Sequence, residues 1–294
     1  MKIGLINIEP KIFNTAYMQI AAYHKRQVDA VDWWLPLIDK QFDHLYCSSL
    51  FDYTDKSQVP ERAICGGTGF DITSRLSKRM ESCDLDYSIY PDCDRSFIWF
   101  SRGCIRRCPW CVVPEKEGNI HPVRRKELNP KGRYIVVMDN NFFANPEWRN
   151  AVSFLGTYPI DLQGVDARLL DKEKCEALNS LRYWRNKQIK IAWDDPKQDL
   201  EPKLREIIRI IKPYKLMCYV LIGFNSTETE DLYRVETLRN LGIDPFIMPY
   251  NKKDLYQKAF ARWVNHKAIF KKVKWQDYNS RVLQSESIGR GWSN

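Results

Sequence analysis

Three cysteines fall within eight residues in the segment Arg102-Gly103-Cys104-Ile105-Arg106-Arg107-Cys108-Pro109-Trp110-Cys111. The spacing Cys-x3-Cys-x2-Cys lets three thiolates converge on one centre, and soft sulfur donors select zinc or an iron–sulfur cluster. A closed zinc site needs a fourth ligand, for which His121, ten residues after Cys111, is the nearest candidate. Zinc modules generally bring their ligands as two short pairs, however. A triad beside a strand end leaves one metal position open, which is what a cluster that binds a substrate needs. Basic residues and a polar loop around the three argue against cysteines packed in a core by chance. The other six, Cys47, Cys65, Cys83, Cys93, Cys175 and Cys218, stand singly and read as small buried hydrophobes. An odd total of nine in a chain of cytosolic character points to metal or redox chemistry before disulfides.

The cysteine segment follows a strand expected at Phe97–Phe100, the first of six in a regular β/α alternation. The others are Tyr134–Met138, Ile160–Val165, Ile189–Trp193, Leu216–Ile222 and Pro245–Met248. Helical patterns over Pro146–Leu155, Lys172–Leu181, Glu201–Ile211 and Glu228–Leu241 separate most of them. Parallel strands need such crossovers, so six repeats imply an open or closed parallel barrel with its active residues at the C-terminal strand ends. Ahead of it, a strand over residues 2–8, a helix over Thr15–His24 and further short strands make a small Rossmann-like unit. That unit contains the turn Gly66-Gly67-Thr68-Gly69, which reads as a tight structural turn more readily than as a phosphate cradle. The fold class is therefore α/β: a Rossmann-like unit over 1–95, a partial (β/α)6 TIM-type barrel over 96–250, and a basic helical extension over 251–294.

The cysteine triplet, with aromatic Trp110 just before its third member, resembles the signature of the radical S-adenosylmethionine (radical SAM) enzymes. The resemblance implies that Cys104, Cys108 and Cys111 hold three irons of one [4Fe–4S] cluster. The fourth iron takes the amino and carboxylate groups of S-adenosylmethionine. Reductive cleavage then gives a 5′-deoxyadenosyl radical that abstracts hydrogen from a substrate, in an oxidoreductase or a transferase, with an external electron donor such as flavodoxin or ferredoxin. It further implies that Trp110 packs on adenine and that Asp139-Asn140-Asn141 stands where the family has a Gly-Gly-Glu-like stretch for the methionine ammonium. Asp166 falls to the ribose hydroxyls, Arg168 to the methionine carboxylate, and Gly223 to the segment near adenine. The N-terminal unit resembles the cobalamin-binding domain that precedes some of these barrels. Its cobalt-ligand motif Asp-x-His-x-x-Gly is missing, since Asp43-His44 is followed by Leu45-Tyr46, so cobalamin is not expected.

The net charge is +9 at pI near 9.0. Residues 251–294 carry ten Lys/Arg against three Asp/Glu, leaving the rest nearly neutral. Interleaved Trp263, Phe270, Trp275 and Tyr278 suit a nucleic-acid face, with lysines on phosphates and rings on bases. They equally suit an amphipathic helix whose aromatics close the barrel. A nucleotide or RNA and a small molecule or peptide both remain substrates at this point. So does a different class of function, a non-catalytic zinc or Fe–S module that binds nucleic acid. Hydrophobic residues at 44% and charged ones at 28% exclude a disordered chain, a collagen and a coiled coil. No apolar run approaches the roughly 18 residues of a membrane span, and Met1–Asn7 reads as a first strand, not a signal peptide. The expected location is the cytoplasm.

Overall fold

The run Lys-Ile-Gly-Leu-Ile at residues 2–6 is buried from its second residue on, as a strand covered on both faces requires. In the computed structural model, which describes residues 1–278, it is the first strand of a mixed α/β chain with parallel sheets. The chain divides into two compact units, one ending at Asp139 and the other beginning at Asn140.

The first unit runs β1 (Lys2–Ile6), α1 (Thr15–Arg26), β2 (Ala30–Trp33), β3 (His44–Ser48), β4 (Ile64–Gly66), α2 (Lys78–Ser82), β5 (Arg95–Ile98), β6 (Ser101–Arg102), α3 (Val113–Lys116), β7 (His121–Pro122) and β8 (Tyr134–Val137). Strands β2-β1-β3-β4 form a parallel sheet in that order, β5 pairs parallel with β8, and β6 pairs antiparallel with β7. Helix α1 starts where the Asn14 side chain accepts the Ala16 amide, and it ends on Lys25 and Arg26, cations that suit the negative end of the helix dipole. Its apolar stripe buries Tyr17, Ile20 and Ala21 against Leu5 of β1.

At the C-terminal end of this sheet the buried carboxylate of Glu9 organises residues 49–54. It accepts the Leu50 amide at 2.9 Å, the Phe51 amide at 3.2 Å, the Ser49 hydroxyl at 2.9 Å and the Thr54 hydroxyl at 2.7 Å. Burial pushes the Glu9 carboxyl up, but the bonds from Thr54, Leu50, Ser49 and Phe51 outweigh it and hold the group below its usual range. The stabilisation is therefore present above the ordinary glutamate range and is lost as pH falls through the depressed value. Glu9→Gln is expected to cost about 1–3 kcal/mol at neutral pH, and the cost shrinks as the medium is acidified. Urea midpoints of both proteins between neutral and acid pH check this.

The glycine turn after β4 closes on the same segment. A Cβ at Gly67 would lie 2.4 Å from the Ser49 carbonyl oxygen, and one at Gly69 would lie 2.3 Å from that of Phe51. Backbone thus fills the space a ligand phosphate would need, as the tight-turn reading expects. Of the six single cysteines, Cys47, Cys83, Cys93, Cys175 and Cys218 are buried. Cys65 departs from that expectation: it is exposed, because β4 is a three-residue edge strand.

The second unit runs α4 (Trp148–Leu155), β9 (Ile160–Leu162), α5 (Lys172–Ser180), β10 (Ile189–Ala192), α6 (Glu201–Ile207), β11 (Leu216–Ile222), α7 (Glu228–Asn240), β12 (Asp244–Pro249), α8 (Leu255–Asn265) and α9 (Lys267–Lys272). Strands β10-β11-β12 are parallel, and residues from and just beyond β9 bridge to Tyr183 and Ile191. Along β11, Leu216, Cys218, Val220 and Ile222 are fully buried and alternate with half-buried Met217, Tyr219 and Leu221, which sets the register. Helix α7 begins with a capping box between Thr227 and Glu230.

In α8 and beyond, Phe260, Trp263, Phe270 and Trp275 are buried and pack on one another with ring centroids 4.9–5.3 Å apart. These rings offer no face to a base, whereas Lys258, Lys271, Lys272 and Lys274 are exposed. The arrangement is the amphipathic one, with stems and rings inward and charges outward. The part of the basic extension from 279 to 294 lies outside the described residues. Among the described residues, no helix is long and apolar enough to cross a membrane.

Candidate functional site

Strands β6 and β7 form the neck of a loop that carries all three clustered cysteines. Ser101 lies opposite Pro122 and Arg102 opposite His121, with residues 103–120 between them. Glu117 clasps this neck. Its carboxylate accepts Arg102 Nε at 3.0 Å, Arg102 Nη2 at 2.7 Å and the Gly103 amide at 3.0 Å, a bidentate fork plus a backbone bond. The Cys104 amide donates to the Gly118 carbonyl at 3.2 Å. Gly103 has φ of +77° and a Cβ there would stand 2.3 Å from the Asn119 carbonyl oxygen, so no other residue fits before the first cysteine.

Within the loop the Arg106 amide donates to Cys104 Sγ at 3.3 Å, and the Cys111 amide donates to the Cys108 carbonyl at 3.0 Å. Cys104 and Cys108 are half-buried and Cys111 is exposed. Trp110 is half-buried between two of them in sequence. Arg75 donates to the carbonyls of Glu115 and Lys116 and ties the loop to the segment before α2. His121, the alternative fourth ligand, is exposed and its Nδ1 lies 2.9 Å from the Asn119 carbonyl oxygen.

Asp139 holds the base of the same loop. It is 1% exposed and accepts the Phe100 amide at 2.9 Å, the Ser101 amide at 2.7 Å and the Ser101 hydroxyl at 2.6 Å. Burial pushes its carboxyl up, against the pull of the Ser101 and Phe100 bonds. Its carboxylate oxygens thus bind the link between β5 and β6, directly before the neck.

The second unit carries the remaining expected residues. Arg168 donates to Asp166 through Nε at 2.6 Å and Nη2 at 3.0 Å, and through Nη1 to Gln198 at 3.1 Å. The Asn141 amide nitrogen lies 3.5 Å from Asp166 Oδ2. Asn140, which opens the unit, is half-buried. Gly223 has φ of +79°, and the side-chain amide of Gln257 covers it: a Cβ there would meet Gln257 Nε2 at 2.1 Å. Gln257 in turn accepts the Asn251 amide at 2.8 Å.

Sequence reasoning did not single out Glu117, Arg75, Gln198, Asp194 or Arg234. Asp194 follows β10, the position where a carboxylate at a strand's C-terminal end signals function, and it accepts the Leu221 amide at 3.2 Å. Burial pushes its carboxyl up, opposed by that bond and by Arg234 and Arg168. Arg234, 1% exposed, donates to the Trp193 carbonyl at 2.9 Å and to Asp231 at 2.6 Å, and so fixes the backbone from which Asp194 projects.

Among the described residues, no three His, Cys, Asp or Glu side chains are gathered as a formed metal cage. The donor set lies along one loop, and such ligands close round a metal as it binds. Three thiols, partly accessible and within eight residues of sequence, fit an iron–sulfur cluster by their chemistry. If the loop holds an iron–sulfur cluster and Glu117 maintains its neck, Glu117→Ala is expected to lower the iron retained after anaerobic reconstitution by roughly 10-fold, the scale of an outer-shell partner. Glu117→Gln, which keeps one acceptor, recovers part of it; iron assay of the three proteins tests the clasp. No protein-family model matches the chain, and no curated protein matches it.

Proposed function

We propose that this chain is a radical SAM enzyme with one [4Fe–4S] cluster, a partial (β/α)6 barrel and a Rossmann-like N-terminal unit without cobalamin. The observation that carries this reading is the loop of Cys104, Cys108 and Cys111, closed at its neck by Glu117 and at its base by Asp139. Three donors on four irons leave one iron for S-adenosylmethionine. When bound, the cluster supplies one electron to the sulfonium, giving methionine and a 5′-deoxyadenosyl radical.

The chain's own residues bind and orient. Trp110 offers its ring to adenine. Asn140 and Asn141 supply amide oxygens to the methionine ammonium, and Arg168, held by Asp166 and Gln198, presents its guanidinium to the carboxylate. Asp166 and Asp194 are acceptors for ribose hydroxyls, whereas Gly223, covered by the Gln257 side chain, is left out of the adenine contact. Asp139 acts one step back, by fixing the strand link that feeds the cysteine loop.

Anaerobically reconstituted protein with S-adenosylmethionine and dithionite is expected to release 5′-deoxyadenosine, read by chromatography. No release, from protein that holds iron, would refute the proposal. Deuterium carried from labelled cofactor into a co-purifying compound would then identify the substrate class.

A further inference from the structure

Two of the cysteines that stand singly in the sequence meet in the fold. Strands β3 and β4 pair in parallel, with Tyr46 opposite Ile64, Cys47 opposite Cys65 and Ser48 opposite Gly66. Directly opposed residues of such a pair project from the same face of the sheet, on strands about 4.8 Å apart. A disulfide takes Cα atoms about 4.4–6.8 Å apart with both Cβ atoms on one side, and this register meets both conditions. Both residues carry free thiols. Burial pushes the Cys65 thiol up, and a hydrogen bond with the Cys47 thiol opposes the push, so the two sulfurs face each other. Strand β4 has three residues and ends the sheet, bonded to β3 on one side only, which lets it make the small adjustment that a new bond asks of the Cβ atoms.

The two thiols differ in access. Cys47 is 2% exposed, and burial pushes its thiol up to about 12, so it stays protonated and meets no dissolved reagent by itself. Cys65 is exposed. We infer that the pair is a redox-modification site, with Cys65 the entry thiol and Cys47 the resolving thiol of a reversible intramolecular disulfide. The oxidant is a low-molecular-weight disulfide such as oxidised glutathione.

The exchange has two steps. Cys65, as thiolate, attacks one sulfur of the oxidant and expels one thiolate, leaving a mixed disulfide. Cys47 then gives up its proton, attacks the Cys65 sulfur and expels the second thiolate. The two protons lost by the protein end on the two released thiols, and the two electrons lost by the pair reduce the reagent. The link closes residues 48–64 into a ring that contains the segment organised by Glu9. Bridges of this kind in reducing compartments are transient and redox-sensing. The site is separate from the loop of Cys104, Cys108 and Cys111 and does not depend on the radical SAM reading; a chain without iron is expected to behave in the same way.

The test treats the folded full chain with oxidised glutathione, blocks the remaining thiols with iodoacetamide in denaturant, and maps tryptic peptides by mass spectrometry. Cleavage after Lys40, Lys56, Arg62 and Arg75 places Cys47 in 41–56 and Cys65 in 63–75. The expected result is these two peptides joined and released by dithiothreitol, with iodoacetamide labelling of Cys65 in the folded, oxidised chain lowered roughly 10-fold. Cys47→Ala is expected to stop at the mixed disulfide, with glutathione retained on 63–75, and Cys65→Ser to leave Cys47 a free thiol. Recovery of both peptides unjoined from the unaltered chain overturns the inference. So does Cys65 joined to the 104–111 loop instead, or Cys47 oxidised as readily in Cys65→Ser. Because Cys65 is exposed, its serine variant decides the matter even where Cys47→Ala fails to fold.

Discussion

Changing Cys104, Cys108 or Cys111 to Ala, one at a time, is expected to abolish 5′-deoxyadenosine release and to strip most of the iron, whereas Cys175→Ala leaves both at the level of the parent. The loss from a ligand should exceed the roughly 10–100-fold typical of an outer-shell partner, because two thiolates cannot hold a cluster with one iron open. Cys175 is the appropriate control. It is 2% exposed in α5, and burial pushes its thiol up to about 11, so at neutral pH it is a small hydrophobe and not a ligand. Equal loss from all four changes would mean that the assay reports folding, and the three-thiolate centre would have to be abandoned.

The second large effect lies in the fold. Arg234 is 1% exposed and Asp231 0%, and their 2.6 Å pair is completed by Tyr256, whose hydroxyl donates to Asp231 at 3.0 Å. Arg234→Met leaves the Asp231 carboxylate buried without its cation, at an expected cost of about 3–5 kcal/mol. Removing both charges in Asp231→Asn/Arg234→Met should recover much of that loss, since the penalty is mainly the stranded charge. Urea unfolding followed by tryptophan fluorescence reads both, with Trp193 and Trp263 as buried reporters in this unit. Additive destabilisation in the double variant would show that Arg234 stabilises through its carbonyl bonds to Trp193 and Asp194 and not through the pair.

What was legible in the sequence had its partners close by or strictly periodic. The strand Leu216–Ile222 is found with the boundaries expected, because burial alternates residue by residue along it. The cysteine triad falls within eight residues, so spacing alone exposes it. Helix α6 stops at Ile207, short of the expected Ile211, as the chain turns toward Pro213. Residues that act across the chain were not legible. Arg234 meets Trp193 across 41 positions, and Asp139 meets Ser101 across 38. Glu117 was visible only as one charge among several after the third cysteine, although a carboxylate placed to answer Arg102 across a loop is a signal that can be sought. The aromatics of α8 carried two meanings, because the spacing that builds a core also builds a stacking stripe, and only burial separates them.

The most direct test of the three-thiolate centre is metal content together with electron paramagnetic resonance of the anaerobically reconstituted, reduced chain, with and without S-adenosylmethionine. Brown protein with about four iron per chain, and a cluster signal that changes when S-adenosylmethionine is added, is the result expected of a cluster with one open iron. Colourless protein holding one zinc per chain, or an iron signal indifferent to S-adenosylmethionine, contradicts it.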